Sequence, residues 1–500
     1  MLNNNYKQFK SGTDIRGVAV EGVEGQPVNL TDEAVRRMAD GFVLWLSEKV
    51  GKSADSLKIS VGRDSRISGP HIMALCTEQF VAAGAEVVRC ELASTPSMFM
   101  TTVELGCDGA LQITASHHPF NRNGLKFFTR EGGLEGSDIE AILTFASEDT
   151  HPAPSDRGSV TDCDFMSDYA RGLREKIKRE VNAADYEHPL AGFHIVVDAG
   201  NGAGGFYADK VLAPLGADTT GSRYLDPDGM FPNHVPNPED ATAMASICEA
   251  VRENNADLGV IFDTDVDRGG AVDSKGNEIN RNRLVAVAAA IALEGNEGGT
   301  VVTDSITSRG LKEFIEKNLG GKHYRYRRGY KNVIDKALEL NAAGVNCPLA
   351  IETSGHAAMR ENYFLDDGAY LCTKIIIKAA QMRAEGKSLD VLTADLREPL
   401  ESREIRYQIT ESDFRACGER IIADLTAYAE SKDGWQLADD NREGVRVSFG
   451  KDDGDGWFLL RLSVHDPIMP LNIESDSVGG VDKIKAHLDG FLKTTKGLKL

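Results

Sequence analysis

The chain has 500 residues, of which 41% are hydrophobic, 27% charged and 7% aromatic, and its formal net charge at pH 7 is −21. This length exceeds what one hydrophobic core supports and predicts about three or four domains, while the composition excludes a disordered or fibrous protein. The acidic excess argues against binding to nucleic acid, because an acidic surface repels phosphates, although a locally basic cleft can still hold a small anion.

Hydropathy and cysteine usage indicate where in the cell the protein is expected. No stretch approaches about 18 consecutive apolar residues, so we expect no membrane span. The first seven residues contain no apolar run of the kind found in a signal peptide. The eight cysteines lie singly between Cys76 and Cys417 and form no C-x-x-C pair. This pattern favours a reducing cytoplasm over a disulfide framework or a zinc ribbon.

Three segments of the chain share one layout, in which an apolar strand is followed by a turn of small residues and a helix. A second apolar strand follows in each unit and ends in a polar loop. The first strands are predicted at 57–61, 193–197 and 300–303, and the second strands at 109–114, 258–262 and 348–351. This arrangement predicts an internal repeat of three α/β units. Because ligands bind at the carboxyl ends of strands in open α/β sheets, we expect the three polar loops to face one shared cleft.

After about residue 400 the pattern changes to strands with few helices between them. Strands are predicted at 404–409, 445–449, 457–464 and 469–474, and a closing helix at 481–494. This pattern favours an α+β domain with an antiparallel sheet. A polar stretch with two prolines at 151–159 predicts a long loop late in the first domain.

Three carboxylates, Asp263, Asp265 and Asp267, alternate at the end of the second unit's strand. Residues two apart in a strand point to the same side, and three carboxylates cannot stay close and ionised without a cation. Oxygen ligands suit Mg²⁺. A calcium-type or solvated acidic turn is the alternative, but the EF-hand spacing is missing and the preceding strand is wholly apolar. Arg268 is placed to pair with an anion that shares the metal.

A serine, Ser116, lies where the first unit's second strand meets a polar loop, beside His117 and His118. It is a candidate nucleophile or phosphoryl carrier, with backbone N–H groups and Lys126 holding phosphate oxygens. The alternative interpretation is the N-cap of a helix. The chain has no G-x-S-x-G elbow at this serine, which argues against an α/β-hydrolase.

The third unit's loop carries Glu352, Ser354 and His356. These side chains suit sugar hydroxyls, and His356 is a candidate for moving a proton. The alternative for such a histidine is an ordinary loop residue.

Near the C-terminus, Arg461, Ser463 and His465 alternate on a predicted strand and together suggest a grip for phosphate. Arg16 and Arg63 are candidates for adding positive charge. Taken alone, isolated arginines are more often surface residues.

A glycine pattern at 200–205 follows a strand and precedes a helix, as in a dinucleotide fingerprint. It lies in the second unit, and no acidic residue ends a following strand at the expected distance. We therefore interpret it as a tight turn that lets helix and strand pack closely, with a nicotinamide cofactor as the minor alternative.

Together these motifs resemble the α-D-phosphohexomutase superfamily, specifically its phosphomannomutase/phosphoglucomutase branch, over nearly the whole chain. Residues 114–119 resemble the phosphoserine loop T-A-S-H-N-P, with His118 at the asparagine position. Residues 263–268 resemble the metal loop D-G-D-x-D-R, with Thr264 replacing glycine. Residues 352–356 resemble the sugar loop G-E-M-S-G-H, in which Ile351 replaces its first glycine.

Two further segments carry the resemblance. Residues 461–467 are similar to the looser phosphate loop R-x-S-x-T-x-P, with His465 in place of threonine, and residues 12–17 match the N-terminal family segment. A departure lies at Tyr330, where bacterial relatives often carry a histidine, and this puts a proton-transfer role there in doubt.

The resemblance implies three similar α/β domains with mixed sheets and a C-terminal α+β domain like the TATA-box-binding protein, arranged around a deep central cleft. The expected domains are 1–170 with the phosphoserine loop, 171–278 with the metal loop, 279–400 with the sugar loop, and 401–500 with the phosphate loop. It also implies a cytoplasmic enzyme, monomeric or homodimeric, that acts on small phosphosugars.

The resemblance further implies a phosphorylated Ser116, one Mg²⁺ per chain and a hexose 1,6-bisphosphate as intermediate and activator. The metal ligands would be Ser116, Asp263, Asp265 and Asp267. The catalytic candidates are Ser116, Lys126, His117, His356 and Arg16, with Lys126 and His356 favoured for proton transfer. The substrate-binding candidates are Arg268, Glu352, Ser354, His356, Arg461, Ser463, His465 and Arg63.

The resemblance leaves three other functions open. A metal-dependent sugar phosphatase would use the same aspartates and serine but release inorganic phosphate, and a non-catalytic sugar-phosphate sensor would explain the departures from the motifs. A phosphoglucosamine mutase is the nearest alternative, since it uses a similar loop, usually with glutamine where Thr353 stands. The ending Ser354-Gly355-His356 resembles the dual-specificity branch, so we expect turnover of both mannose and glucose phosphates.

Overall fold

Four β-sheets organise the protein, whose computed structural model describes residues 4–463 and 466–499. The residues group into two compact units. The first unit comprises residues up to 280 together with 354–357 and 365–389, and the second comprises 281–353, 358–364 and the residues from 390 on.

The first sheet has eight strands and lies in the first unit. Its strand order is β1-β2-β6-β5-β3-β4-β8, with β7 paired to β6. The strands are β1 Lys10–Ser11, β2 Asp14–Val18, β3 Lys58–Arg63, β4 Glu86–Leu92, β5 Gly109–Ile113, β6 Arg122–Thr129, β7 Gly132–Gly133 and β8 Ser159–Asp162. The central strands are parallel, whereas β6 runs antiparallel to both β5 and β2. The sheet is therefore mixed.

Six helices accompany the first sheet in the sequence. They are α1 Asn4–Lys7, α2 Asp32–Val50, α3 Gly69–Ala82, α4 Thr95–Glu104, α5 Gly136–Ser147 and α6 Phe165–Val181. Helix α2 begins at the side-chain cap of Thr31 and ends at Gly51, whose φ of 68° is the left-handed conformation that glycine adopts readily. Its buried face brings Phe42 to 4.4 Å from Phe127 of β6, measured between ring centroids. Helix and sheet thus share one core.

The second sheet, also in the first unit, has the order β12-β11-β10-β9. Its strands are β9 Ile195–Asp198, β10 Leu258–Phe262, β11 Gly269–Asp273 and β12 Glu278–Ile279, and its helical segments are a π-helix at Tyr207–Leu212, a 3₁₀ turn at Ala213–Leu215 and α7 Ala241–Asn254. The glycine-rich stretch after β9 is a tight packing turn, because a Cβ at Gly202 would lie 2.6 Å from the carbonyl oxygen of Thr264. This confirms the structural interpretation of the glycine pattern.

The third sheet has the order β14-β13-β15-β16. The elements of this region are α8 Arg281–Leu293, β13 Thr300–Thr303, α9 Arg309–Glu313, a π-helix at Phe314–Asn318, β14 Lys322–Arg325, α10 Tyr330–Ala342, β15 Leu349–Ile351, β16 Ala357–Met359, a 3₁₀ turn at Arg360–Asn362, α11 Gly368–Ala384 and a 3₁₀ turn at Leu389–Thr393. Strand β13 is parallel to both β14 and β15.

The fourth sheet lies in the second unit and has the order β18-β19-β20-β21-β17-β22, with antiparallel pairing throughout. Its elements are β17 Glu401–Ile409, α12 Phe414–Glu430, β18 Gln436–Leu437, β19 Val445–Ser448, a 3₁₀ turn at Lys451–Asp453, β20 Gly456–Leu460, β21 Ile468–Ser475, α13 Gly480–Leu492 and β22 Leu498–Lys499. Helices α12 and α13 pack on one core with this sheet. The predicted fold class, three α/β sheets followed by an α+β domain, is confirmed.

The structure differs from the sequence prediction in three details. The sequence analysis allowed a few helices between the C-terminal strands but did not locate the 17-residue helix α12. The strand predicted at 457–464 ends at Leu460, and its last residue lies outside the described residues. The loop predicted at 151–159 gives way at its last residue to β8, which adds an edge to the first sheet next to β4. A short, wholly exposed edge strand such as β8 lacks the buried apolar pattern that identifies strands in a sequence.

Candidate active site

Ser116 lies in the turn between the antiparallel strands β5 and β6. The residue is buried and adopts a left-handed φ of 49°. Its main-chain N–H donates to the Thr114 hydroxyl at 2.9 Å. Turns and no helix follow directly, so the N-cap interpretation is wrong. A non-glycine residue in this conformation carries strain that its surroundings must offset.

Arg66, a fully buried arginine, supplies much of that support. Its guanidinium also forms an ion pair with Asp64 at 3.2 Å. It donates to the main-chain carbonyl oxygens of four residues: Ser116, His118 (2.6 Å), Pro119 (2.8 Å) and Arg122 (3.0 Å). The sequence analysis missed this residue and named Arg63 instead, because nothing in the sequence shows which of the arginines at the end of β3 and just after it points inward.

Asp263, Asp265 and Asp267 converge in the turn between β10 and β11. One oxygen from each carboxylate lies within 4.8 Å of the others, and all three residues are buried. The sequence analysis attributed this convergence to strand alternation, and that explanation is wrong. Strand β10 ends at Phe262, and the chain then turns through Val266, whose φ is 66°.

The three carboxylates of this loop carry more negative charge than the neighbouring basic groups balance. Burial and then the neighbouring Asp267 and Asp265 raise the pKa of Asp263 well above its ordinary value, and burial followed by Asp267 raises the pKa of Asp265. Burial alone would raise the pKa of Asp267 too, but the basic groups of Lys126, His356 and Arg268 lower it below its ordinary value. Oδ1 of Asp265 and Oδ1 of Asp267 are buried and accept no hydrogen bond from the described residues. A divalent cation with oxygen ligands fits this arrangement.

Two contacts join the serine turn to the aspartate turn. The Ser116 hydroxyl donates to Oδ2 of Asp263 at 3.2 Å. The buried ammonium of Lys126, which projects from β6, donates to Oδ2 of Asp267 at 2.7 Å. The candidate phosphoryl carrier, the candidate metal ligands and Lys126 therefore form one cluster.

His117 and His118 follow the serine. Nδ1 of His117 lies 3.3 Å from the Ser116 hydroxyl. The charge of Arg268, followed by burial, lowers the pKa of His117 far below its ordinary value. Burial and then Arg16 lower the pKa of His118 to about 3. Both imidazoles are therefore neutral at physiological pH.

Arg268 and His356 form a second pair beside the aspartates. Nε of Arg268 donates to Nε2 of His356 at 3.1 Å. Nδ1 in turn lies 2.9 Å from the Ser354 hydroxyl. Nε2 of His356 is also 3.6 Å from Oδ1 of Asp267. The side chains of the sugar loop that belong to the first unit thus lie against the metal loop.

The remaining candidates of the sugar and phosphate loops lie in the second unit. Oε1 of Glu352 accepts from the Gly329 N–H at 2.6 Å. Arg461 is buried just beyond β20, and its Nε has no hydrogen-bond partner in the part of the chain that the structure describes. The Ser463 hydroxyl accepts from the Asp466 N–H at 3.3 Å. Residues 461–463 lie outside a strand, contrary to the prediction, and His465 lies outside the described residues.

Arg16 and Arg63 occupy different places in the first sheet. Arg16 lies on β2 opposite Gly124 of β6 and pairs with Asp14 at 3.1 Å. Arg63 ends β3 and reaches Glu91 at 3.6 Å. This ion pair and a hydrogen bond from its guanidinium to the main-chain oxygen of Asp64 at 3.1 Å involve neither the Ser116 turn nor the aspartates.

Thr95 is a further residue that the sequence analysis missed. Its hydroxyl donates to Oδ2 of Asp265, although 170 residues separate the two in the chain. No sequence motif predicts such a contact, because the tertiary fold alone brings α4 to the metal loop.

Comparison with known proteins identifies the family. Three family profiles, described as phosphoglucomutase/phosphomannomutase α/β/α domains I, II and III, match residues 7–151, 167–276 and 280–400. The chain therefore belongs to the phosphoglucomutase/phosphomannomutase family. It is a hexose-phosphate mutase, an isomerase that moves a phosphoryl group within its substrate.

Individual relatives extend over nearly the whole chain. A phosphoglucomutase of Neisseria meningitidis is 29% identical over 481 residues, covering 96% of both chains. A phosphomannomutase/phosphoglucomutase of Pseudomonas aeruginosa is 29% identical over 456 residues, which are 90% of this chain and 91% of its own. A crystal structure of a phosphoglucomutase/phosphomannomutase family protein from Burkholderia thailandensis is 25% identical, with a TM-score of 0.79 and coverage of 99% and 98%. Among the described residues, no helix has the length and hydropathy needed to cross a membrane.

Proposed function

We propose that the mutase transfers phosphate between O1 and O6 of mannose and glucose through a phosphorylated Ser116 and a hexose 1,6-bisphosphate. The observation that carries this proposal is the contact between the Ser116 hydroxyl and Oδ2 of Asp263 at 3.2 Å. It sets a nucleophilic oxygen beside a carboxylate cluster that requires a cation, and phosphoryl transfer needs both.

Two transfers make up the proposed reaction. In the first, a hydroxyl of the hexose monophosphate attacks the phosphorus of phospho-Ser116. The bond from phosphorus to the serine oxygen breaks, a bond to the sugar oxygen forms, and the hydroxyl proton passes to a base. In the second, the bisphosphate is bound in the opposite orientation. The serine oxygen attacks its other phosphate, and the released sugar oxygen recovers a proton. Lys126 and His356 are the proposed proton-transfer groups.

The residues present fit one Mg²⁺ held by Asp263, Asp265, Asp267 and an oxygen on Ser116. The fit rests on the two buried carboxylate oxygens without a hydrogen-bond partner among the described residues and on the raised pKa of Asp263 and Asp265. When bound, such an ion neutralises negative charge on the transferring phosphoryl group. Lys126 keeps Asp267 ionised, since their ion pair favours the charged carboxylate.

The remaining roles follow from the resemblance. We assign the hydroxyls at C3 and C4 of the sugar to Glu352 and Ser354, and the phosphate that does not react to Arg461 and Ser463. Arg268, Arg16, Arg63 and His465 are assigned to substrate or charge stabilisation on the same basis. A cytoplasmic location and a monomeric or homodimeric state complete the proposal.

A kinetic comparison tests the substrate assignment. Because mannose and glucose differ only at C2, a loop that reads C3 and C4 accepts both. We expect kcat/KM for mannose 1-phosphate and glucose 1-phosphate to differ by no more than about a hundredfold, or about 2.7 kcal/mol in transition-state binding. A clear preference for glucosamine 1-phosphate would overturn the sugar assignment and leave the mutase intact.

A second measurement in the same assay tests the route. Release of inorganic phosphate should be negligible beside isomerisation. Dephosphorylated enzyme should be inactive until glucose 1,6-bisphosphate is added, because the bisphosphate rephosphorylates Ser116. Full activity of an enzyme that mass spectrometry shows to be free of phosphoserine, without added bisphosphate, would contradict the proposed intermediate.

A further inference from the structure

Thr95 is the first residue of helix α4, which follows the side-chain cap of Ser94. The first N–H groups of a helix have no partner within the helix and must find one elsewhere. The Thr95 N–H finds the main-chain oxygen of Asp265 at 2.8 Å. Thr95 is 1% exposed, so this contact is shielded from water.

A second hydrogen bond joins the same two residues, because the Thr95 hydroxyl donates to Oδ2 of Asp265. The main chain and the side chain of Asp265 are thus both fixed from one residue. Oδ1 of this fully buried aspartate is left without a hydrogen-bond partner among the residues described. The donor on Oδ2 therefore determines how Oδ1 is presented to the two neighbouring carboxylates.

We propose that Thr95 is a positioning residue for the metal loop, which orients the carboxylate of Asp265 and thereby sets the affinity of the loop for its divalent cation. This inference rests on the proposed metal site. Groups that hydrogen-bond to a metal ligand fix its orientation, and their loss typically lowers metal affinity about 10- to 100-fold. The positive end of the α4 dipole adds a favourable interaction with the ionised carboxylate.

A purely structural role for Thr95 predicts something different. If the residue only packs α4 against the turn, its shape matters and its hydroxyl does not. Thr95→Val keeps the shape and removes the hydroxyl, whereas Thr95→Ser keeps the hydroxyl and removes a methyl group. Thr102 offers a matched control on the same helix, because its hydroxyl is equally buried but donates to the main-chain oxygen of Phe99.

The experiment measures binding of Mn²⁺ to the full-length, dephosphorylated protein by calorimetry and by electron paramagnetic resonance. We expect Thr95→Val to raise the Kd about tenfold or more, and Thr95→Ser and Thr102→Val to stay within about twofold of the wild type. In the mutase assay, the Mg²⁺ concentration for half-maximal activity should rise in Thr95→Val. Saturating Mg²⁺ should largely restore its kcat.

Thermal melting in a chelator first checks that each variant is folded, and Thr95→Ala replaces Thr95→Val if the valine variant is not. An unchanged Kd in the folded hydroxyl-free variant overturns the inference, and so does an equal loss in Thr95→Ser or Thr102→Val. If the wild type itself binds no Mn²⁺, the proposed metal site fails, which distinguishes that failure from the failure of this inference.

Discussion

The serine turn (114–122) and the aspartate turn (263–268) are built alike and charged oppositely. Each connects a fully buried strand to an antiparallel partner, and each contains a non-glycine residue in the left-handed region, Ser116 in one and Val266 in the other. In the serine turn, the guanidinium of Arg66 lies under the loop and satisfies its carbonyl oxygens. In the aspartate turn, three buried carboxylates are crowded together.

The serine turn has its polar groups satisfied by the protein itself, whereas the aspartate turn has negative charge left to be balanced by a ligand. The protein supplies its own cation, Arg66, to the serine turn, so the geometry of Ser116 is fixed before any substrate binds. The aspartate turn receives only partial compensation, from Lys126 and Arg268, and the pKa of Asp263 stays raised by burial and its acidic neighbours. Such a turn reaches its working charge state only with a bound cation. The predictions that follow test this contrast.

Replacement of the nucleophile should have the largest effect. Ser116→Ala removes the oxygen that carries the phosphoryl group, so kcat should fall by about 10⁴-fold or more, with melting temperature little changed. A coupled mutase assay measures the rate, and peptide mass spectrometry of the wild type locates the phosphate. Ser60→Ala is the control, since that buried hydroxyl bonds to Thr101 and not to the turn. Active enzyme phosphorylated only at another residue would sink the assignment.

Removal of one metal-loop charge should come next. Asp263→Asn keeps the size of the side chain but loses a ligand charge and one of the two oxygens that accept from the Ser116 hydroxyl and the Arg268 N–H. We expect metal affinity and kcat/KM at limiting Mg²⁺ each to fall by about a hundredfold. Mn²⁺ titration and the mutase assay measure the two effects. Asp218→Asn, at an exposed aspartate bridged to His194, should behave as the wild type, and full activity of the wild type after exhaustive chelation would exclude an essential metal.

The contrast between the turns also shows how far the sequence can predict this site. The apolar strands and the residue types that follow them are local in the chain, so β5, β10 and the loops beginning at Ser116 and Asp263 could be located within one or two residues. Arg66 and Thr95 could not be found, because their roles depend on contacts across 50 and 170 residues of sequence. Helix α12 was missed for another reason, since strands dominate the pattern around it.

The support under the serine turn can be tested through stability. Arg66→Lys keeps the charge but cannot reach four carbonyl oxygens and Asp64 at once, so buried acceptors lose their donors. The free energy of unfolding should fall by about 2 kcal/mol or more, as measured in urea. Arg63→Lys is the matched control, because its partner Glu91 is half-exposed and such pairs contribute about 0–1 kcal/mol. Equal losses in the two variants would show that Arg66 gives the turn no special support.

The smallest expected effect is a dependence of metal stabilisation on pH. The pKa of Asp263 and of Asp265 is raised in the metal-free fold, chiefly by burial. A raised carboxyl pKa means that the fold binds protons more tightly than the unfolded chain. The contribution of these groups to metal-free stability is therefore greatest at low pH and is lost as the pH rises through the folded pKa. Bound Mg²⁺ already holds the carboxylates ionised and removes this loss.

The melting temperature in Mg²⁺ minus that in chelator should thus grow by a few degrees, on the order of 1 kcal/mol, between pH 5 and 8. Asp263→Asn should flatten this difference, whereas Arg63→Lys should leave it unchanged, because only the aspartate turn exchanges protons for the cation. A difference that shrinks with rising pH would contradict the charge deficit assigned to the aspartate turn.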